Sequence, residues 1–247
     1  MPEFSTQPQS IRRRQTLGAA LPLLTSPIDE QDVLRAALLW NLTVALAREG
    51  ARAILLAPAT SKSEMLWPEP GRGPFGAELV LVPCEGPSDF ARTAVDLAVA
   101  QAENALDGGF ILVSLPPAWL DHAEEVERLL RWTLLFSGPE PYAGGKTLML
   151  TQRVLAACPA SRVGVTLLGV GSISEARAAF LELAQASETK LGHPLTSYGL
   201  LVDDLEFCRS VVSRRAVGLV RPRSPSVRAL GDVASLLLAD AQELAPA

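Results

Sequence analysis

Short runs of apolar residues alternate along the chain with longer segments in which apolar residues recur every three or four positions. The first pattern is typical of strands buried on both faces, and the second of amphipathic helices. The apolar runs predict strands over residues 19–25, 52–58, 78–84, 108–115, 133–137, 162–170, 196–202 and 216–221. The helical spacing predicts helices over residues 29–48, 88–106, 121–131, 145–157, 174–188, 204–214 and 225–243.

This alternation predicts the fold class. Buried strands joined by helical crossovers form mostly parallel sheets that helices cover on both faces. We therefore expect an α/β single-domain fold with a central sheet of seven to eight strands over residues 17–247. Residues 1–16 are polar and basic and are expected to form a flexible tail. A closed barrel of strands and helices is the alternative, although its cycles would be more even in length.

Composition and charge narrow the function classes. Hydrophobic residues make up 48% of the 247 positions, and the formal net charge is −5. A mildly acidic, core-rich chain is not expected to bind nucleic acid, and no apolar run is long enough for insertion into a membrane. The cysteines Cys84, Cys158 and Cys208 are scattered, with no disulfide framework or zinc spacing. We expect a cytoplasmic protein without a metal site.

Three segments carry a family resemblance. NLTVALAREGARAILLAPA (41–59) resembles the run after the P-loop in the MinD/ParA class of deviant Walker ATPases, which has the general form KGGVGKTxxxxNLAxALAxxGxxVLLxDxD. SGPEPYAGGKTLMLTQRVL (137–155) is similar to the family's P-E-P loop and the helix after it, and residues 198–237 to its closing segment. The features are closest to the FlhG (FleN) subgroup and cover about residues 20–240. The resemblance implies a P-loop NTPase-like fold.

The resemblance fails at the positions that bind phosphate. Counted back from Asn41, the family's phosphate lysine falls on Arg35, its magnesium-binding hydroxyl on Ala36 and its signature lysine on Glu30. The loop glycines fall on Asp29, Gln31, Asp32 and Leu34. A P-loop needs glycines that let the backbone curl around phosphate. A carboxylate about 4 Å from a phosphate charge is repelled by roughly 4 kcal/mol at an effective dielectric near 20.

The acidic positions that hold the metal and orient the attacking water are also replaced. They fall on Pro58, Thr60 and Ser114. The sequence therefore predicts a pseudo-ATPase with no catalytic residues and no cofactor. One alternative is an ATPase that binds ATP and magnesium at a non-standard site. Its phosphate lysine would be Lys146, which follows Gly144-Gly145, although Glu140 stands where a Walker A motif begins with a small residue.

The amino-terminal segment offers a candidate partner site. TQPQSIRR (6–13) resembles the D-Q-A-x-x-L-R motif that opens FlhG-type proteins, with matches at Gln7, Ile11 and Arg12. The resemblance implies that these residues, with the adjacent Arg13, engage the SRP-type GTPase FlhF. The alternative is a basic tail without a partner.

Together these features favour a catalytically inactive, MinD/FlhG-like regulatory or scaffold protein of bacterial type that works through protein–protein interactions. The expected partner is an SRP-type GTPase or another MinD/ParA-like protein, and a homodimer is compatible with this interpretation. The alternative function is an active ATPase that regulates the placement or number of a cell-surface organelle such as the flagellum. A third hypothesis is a structural subunit that completes its site with a competent homologue.

Overall fold

A computed structural model describes residues 20–102 and 108–244 of the chain. Eight strands form one sheet, and helices cover both of its faces. The strands are β1 (Leu23–Pro27), β2 (Arg52–Pro58), β3 (Gly71–Arg72), β4 (Glu78–Val82), β5 (Gly109–Leu115), β6 (Trp132–Ser137), β7 (Arg162–Val170) and β8 (Thr196–Val202). The helices are α1 (Val33–Arg48), α2 (Ser63–Leu66), α3 (Pro87–Ala102), α4 (Ala123–Val126), α5 (Pro141–Ala157), α6 (Ile173–Leu191), α7 (Leu205–Ser213), α8 (Val217–Val220) and α9 (Pro225–Leu244).

The strand order determines where a ligand site belongs. The order is β3-β4-β2-β5-β1-β6-β7-β8, and all neighbours are parallel except β3 and β4. The chain moves from β1 towards β2 and β4 on one side and later towards β6, β7 and β8 on the other. Ligands of open parallel sheets lie at such reversals, outside the carboxyl ends of the strands. We call this edge of the sheet the carboxyl edge.

Two hydrophobic cores lie on opposite faces of the sheet. Helices α1, α7, α8 and α9 pack on one face, and α3, α4, α5 and α6 on the other. Successive residues of β2 alternate between the two cores, with Leu55 in the first and Ile54 and Leu56 in the second. This double burial explains why the strands are apolar throughout. The expected fold class is confirmed, and because the sheet is open, the barrel is excluded.

One predicted strand is wrong. Residues 216–221 were expected to form a strand, and they contain the short helix α8. The Asn41 side chain accepts a hydrogen bond from the Val217 amide at 2.8 Å, and the Arg221 amide bonds back to the Val217 carbonyl at 2.8 Å. A short apolar run fits a strand and a buried helical turn equally well. Here the cap from α1 favours the helix.

Other differences concern boundaries. Helix α5 begins at Pro141, four residues earlier than expected, because proline is well suited to the first turn of a helix. In place of one helix over residues 121–131, the chain forms a 3-10 turn at Pro117–Asp121, α4 and a second 3-10 turn at Glu127–Leu129. Residues 60–76, for which no strand or helix was predicted, contain α2, β3 and a 3-10 turn at Pro74–Gly76.

A chain of buried polar contacts fastens α9 to the sheet. The Trp132 indole donates to the Tyr198 hydroxyl at 2.9 Å, and that hydroxyl donates to the Asp240 carboxylate at 2.5 Å. Arg162 pairs with the same carboxylate at 2.7 Å. Burial and the bond to Asp240 raise the pKa of the Tyr198 hydroxyl. Gly164 is required here, since a Cβ atom on it would lie 2.0 Å from the Tyr198 ring.

Among the helices of the described ranges, none is both long enough and apolar enough to cross a membrane.

Candidate functional site

The turn from β1 to α1 lies at the carboxyl edge, in the middle of the sheet, and its own acidic side chains close it. Asp32 is the N-cap of α1, and its carboxylate accepts a hydrogen bond from the Arg35 amide at 3.0 Å. The Asp29 carboxylate accepts a bond from the Gln31 amide at 2.9 Å. Amides at a helix N-terminus are the groups that hold phosphate in a P-loop. In this turn a carboxylate of the chain itself accepts from one of them.

The backbone of this turn also differs from a P-loop. No residue of 28–32 has a positive φ, and none is glycine. Ala36, where the magnesium-binding hydroxyl was expected in the resemblance, is fully buried in the core beneath α1. The turn therefore lacks both the glycine-dependent curl and the hydroxyl ligand.

Arg35 is the one basic side chain of this turn, and the protein uses its charge internally. Its guanidinium forms an ion pair with Asp32, one helical turn earlier. Its Nε also donates to the carbonyl oxygen of Phe136, near the end of β6, at 3.3 Å. An incoming phosphate would have to compete with both contacts for this guanidinium.

The space beside the turn is nearly filled. One cavity lies at the ends of β1, β2 and β5, and its lining includes Asp29, Glu30, Pro58, Thr60 and Ser114. Its volume is about 10 Å³, which is room for about one water molecule. Sites that bind small molecules usually measure about 300–1,000 Å³. The structure thus brings these residues together in a space far smaller than a nucleotide.

Trp67 borders this region. It follows α2, is 4% exposed, and lines the same cavity. The turn that carries it is held by hydroxyl contacts: the Thr60 amide donates to the Ser63 hydroxyl at 2.8 Å, and that hydroxyl donates to the Pro58 carbonyl at 3.3 Å. The Trp67 indole and this turn thus border the positions at which the resemblance expects carboxylates. The residues present do not fit ATP and magnesium.

Lys146 does not lie in a phosphate-binding loop. Gly144, Gly145 and Thr147 all lie inside α5, whose first residue is Pro141. The Lys146 ammonium is 4.6 Å from the centre of the Tyr142 ring, and the Thr147 hydroxyl lies 2.9 Å from both the Ala143 carbonyl and the Ser137 hydroxyl. Helical glycines cannot wrap their amides around a phosphate.

At the carboxyl edge, the contacts of Asp204 have a structural role. The Asp204 carboxylate caps α7 by accepting from the Glu206 amide at 2.9 Å. It also accepts from the Ser226 amide at 3.1 Å and the Ser226 hydroxyl at 2.7 Å in the first turn of α9. Burial raises the pKa of this carboxyl, but the hydrogen bonds outweigh burial and hold the pKa below its ordinary value. Asp204 thus ties α7 to α9.

Two further expectations concern metals and partners. Within the described part of the chain, no three His, Cys, Asp or Glu side chains converge in a way that could hold a metal ion. The expected partner-binding residues Gln7, Ile11, Arg12 and Arg13 lie outside the described residues.

Sequence reasoning missed a larger cavity on the α1 face of the sheet. It measures about 230 Å³ and lies between α1, α8, α9 and the turn at Pro74–Gly76. Its lining comes from four distant segments, so no local motif marks it. A signal was nevertheless present, because Gly231 interrupts the apolar pattern of α9 in mid-helix, where glycine is unfavourable.

Comparison with known proteins shows which known structures share this fold. No family model and no curated protein matches the chain. Among solved structures, a MinD cell division protein of Aquifex aeolicus is similar with a TM-score of 0.63 and 14% identity, over 87% of this chain and 96% of that one. A ParA family ATPase from Chlorobium tepidum TLS has a TM-score of 0.57 and 15% identity, over 86% and 98%. The Aquifex MinD is also solved in complex with MinC, with a TM-score of 0.63 and 14% identity, over 88% and 96%. The chain has the MinD/ParA fold.

Proposed function

We propose that this chain is a catalytically inactive protein of the MinD/ParA fold and acts in the cytoplasm as a regulatory or scaffold protein through contacts with other proteins. One observation supports the proposal most directly: at the start of α1, the amide and the guanidinium of Arg35 already bond to groups of the chain itself. Asp32 accepts from the helix amide, and Arg35 is committed to Asp32 and to the Phe136 carbonyl.

Electrostatics at this turn support the first half of the proposal. Asp29, Glu30 and Asp32 place three carboxylates near the triphosphate position, and Arg35 offsets one of them. To admit a phosphate, the Asp32 side chain would have to leave the helix terminus, and α1 would lose a favourable cap. The phosphate would then also be repelled by the carboxylates of Asp29 and Glu30. Binding of a triphosphate would therefore be unfavourable in both its contacts and its charge.

The acidic positions that the resemblance assigns to hydrolysis are also replaced at this edge. Magnesium prefers carboxylate and hydroxyl oxygens, and phosphoryl transfer needs a group that orients water. The positions expected to be acidic, Pro58, Thr60 and Ser114, supply no carboxylate, and together with Trp67 they line a cavity of only about 10 Å³. A phosphate-release assay with Mg-ATP should therefore show the same rate as buffer. Turnover that Lys146→Ala abolishes would favour the alternative ATPase instead.

Exposed apolar side chains at the carboxyl edge support the second half of the proposal. They stand in the first turns of five helices and form what we call the carboxyl rim: Val33, Leu34, Met65, Tyr142, Ile173 and Leu205. The strands before these helices range from β2 to β8, which at a spacing of about 4.8 Å extends over about 24 Å. Apolar groups gathered on one edge are typical of protein interfaces.

For the occupant of the carboxyl rim we propose another protein of this fold, in the simplest case a second copy of the chain. The MinD structure that resembles this chain has been solved with the protein MinC, so partner binding is compatible with the fold. In this chain the contact would not depend on nucleotide, because the rim is exposed while the neighbouring cavity is closed.

Light scattering tests the rim with a matched pair of variants. Ile173 is 77% exposed at the start of α6, and Leu181 is 56% exposed two turns further along the same helix. Aspartate is favourable in a first helical turn, so Ile173→Asp should fold normally. We expect a nucleotide-independent dimer at micromolar concentration that Ile173→Asp dissociates and Leu181→Asp leaves intact. A monomeric wild-type chain would contradict self-association through the rim.

For the amino-terminal residues Gln7, Ile11, Arg12 and Arg13 we propose contact with an SRP-type GTPase, as the resemblance implies. Deletion of residues 1–16 should abolish co-purification with a co-expressed SRP-type GTPase, while Ile173→Asp should leave it unchanged. Retention of the complex after the deletion would reject this contact.

A further inference from the structure

The 230 Å³ cavity on the α1 face is separate from the carboxyl edge. It lies beside the second half of α1, at Asn41 to Glu49, whereas the β1–α1 turn is at the other end of that helix. An apolar cavity of about 150 Å³ can hold a benzene molecule, so this one has room for a larger ring system. It remains smaller than the usual site for a drug-sized compound.

The floor of the cavity is apolar and its polar groups are already satisfied. Val44, Val217 and Leu230 are buried side chains of three different helices. Asn41 is the polar residue among them, and both ends of its amide are used: Nδ2 donates to the Ala37 carbonyl at 2.8 Å, and Oδ1 accepts from the Val217 amide. The floor therefore favours a hydrocarbon or aromatic body that asks for no hydrogen bond.

Two helical glycines keep the cavity open. Gly218 lies in α8 and Gly231 in the middle of α9, and both line the cavity. Neither has a positive φ, and a Cβ atom added to either would meet no atom within 4 Å. Packing and backbone conformation therefore do not require glycine, although glycine weakens a helix. What a side chain at these positions would remove is the space of the cavity itself.

An exposed aromatic ring, that of Phe75, lines the mouth of the cavity. Phe75 has a φ of 55° and a ψ of 15°, a left-handed conformation that is rare for a bulky residue. Its turn is fixed by the bond from the Gly73 amide to the Ala77 carbonyl at 2.7 Å and by close packing of Gly73 on Trp40. Strained positions of this kind persist where the surrounding structure enforces them, often at ligand sites. The Phe75 ring offers a flat surface on which a ligand ring can stack.

The charge at the mouth is positive. Arg48 and Arg228 line it, and neither has a carboxylate within ion-pair distance among the residues that the structure describes. The Arg48 guanidinium lies 5.9 Å from the centre of the Phe75 ring, and Glu49 is the one carboxylate of the lining. An apolar floor beneath a cationic mouth matches a molecule with an apolar body and a single anionic group.

We propose that this cavity binds a small organic anion with an aromatic body of one or two rings and one carboxylate. The ring enters between Val44, Val217 and Leu230 and stacks on Phe75, while the carboxylate stays at the mouth beside Arg48 and Arg228. Gly218 and Gly231 leave the width that the ring needs.

Protein-observed NMR with indole-3-acetate as the probe tests the proposal. We expect methyl shifts confined to the cavity lining, with about tenfold weaker binding of the neutral indole-3-acetamide and no binding of the cationic tryptamine. Gly231→Leu should abolish the shifts by filling the cavity. Gly145→Leu is the matched control, because Gly145 is also helical with open space at its Cβ but lies in α5, away from the cavity.

Two further variants keep the test decisive. Gly231→Ala adds one methyl group to a helix that favours it, so a loss of affinity in this folded variant reports the lost space. Arg228→Ala should weaken indole-3-acetate but not indole-3-acetamide. No shift at about 1 mM indole-3-acetate, equal binding in Gly231→Leu, or equal binding of tryptamine would each overturn the proposal.

Discussion

At the residue scale, the behaviour of the β1–α1 turn depends on Asp32. Its carboxylate caps α1 and pairs with Arg35, so a single side chain occupies one of the helix amides and the cation that an anionic ligand would use. The sequence could predict that acidic residues replace the glycines of this turn. It could not predict that Arg35 reaches the Phe136 carbonyl, because that contact joins residues 101 positions apart.

Removal of the Asp32 carboxylate should lower the stability of the folded chain. We expect Asp32→Ala to lower the free energy of unfolding by about 1 kcal/mol, as for other N-cap losses, with a smaller contribution from the partly exposed ion pair. Urea denaturation measures the change. Asp32→Asn keeps the capping oxygen and should retain most of the stability. Equal stability of Asp32→Ala and the wild-type chain would show that the cap does not hold the turn.

At the element scale, helices α7 and α9 are joined through Asp204. The sequence placed this aspartate at the start of a helix, and the structure adds its bonds to Ser226, 22 positions further along. The same scale shows why residues 216–221 were misassigned. Their apolar run is too short to show the periodicity of either a strand or a helix. The contact that favours the helix is the cap from Asn41, which lies on α1.

The lowered pKa of Asp204 predicts acid sensitivity. Burial raises the pKa of this carboxyl, but hydrogen bonds from Ser226 and the Glu206 amide bring it below the ordinary 3.8. The folded state therefore binds a proton less readily than the unfolded state. The stabilisation is complete at about pH 5 and above, is reduced as the pH falls below the unfolded-state pKa, and is lost as the pH falls through the folded-state pKa.

Asp204→Asn removes this titration. Between about pH 5 and pH 3 the stability of the variant should fall less steeply than that of the wild-type chain. Urea midpoints across this range report the difference, and Glu206 titrates in both proteins, so its contribution cancels. Parallel pH profiles would contradict a stabilising role for the ionised Asp204.

At the scale of the whole molecule, periodicity predicted the sheet and its two helical layers, and the family resemblance indicated the turn where a phosphate site would be sought. The small size of the cavity at that place could not be predicted, because Trp67 lines it from a segment for which no helix or strand was predicted. The larger cavity could not be predicted either, since residues from distant segments line it only in the folded chain, among them Asn41, Phe75, Gly218 and Gly231. We propose a MinD/ParA fold in which no nucleotide binds at the carboxyl edge, while the carboxyl rim is exposed and the cavity on the α1 face is open to a ligand.

Isothermal titration of the folded wild-type chain with Mg-ATP tests the central claim, which is that the nucleotide position is closed. We predict no heat of binding up to about 1 mM ATP. Arg35→Ala and Lys146→Ala should give the same result. A micromolar dissociation constant for the wild-type chain that either substitution abolishes would contradict the account.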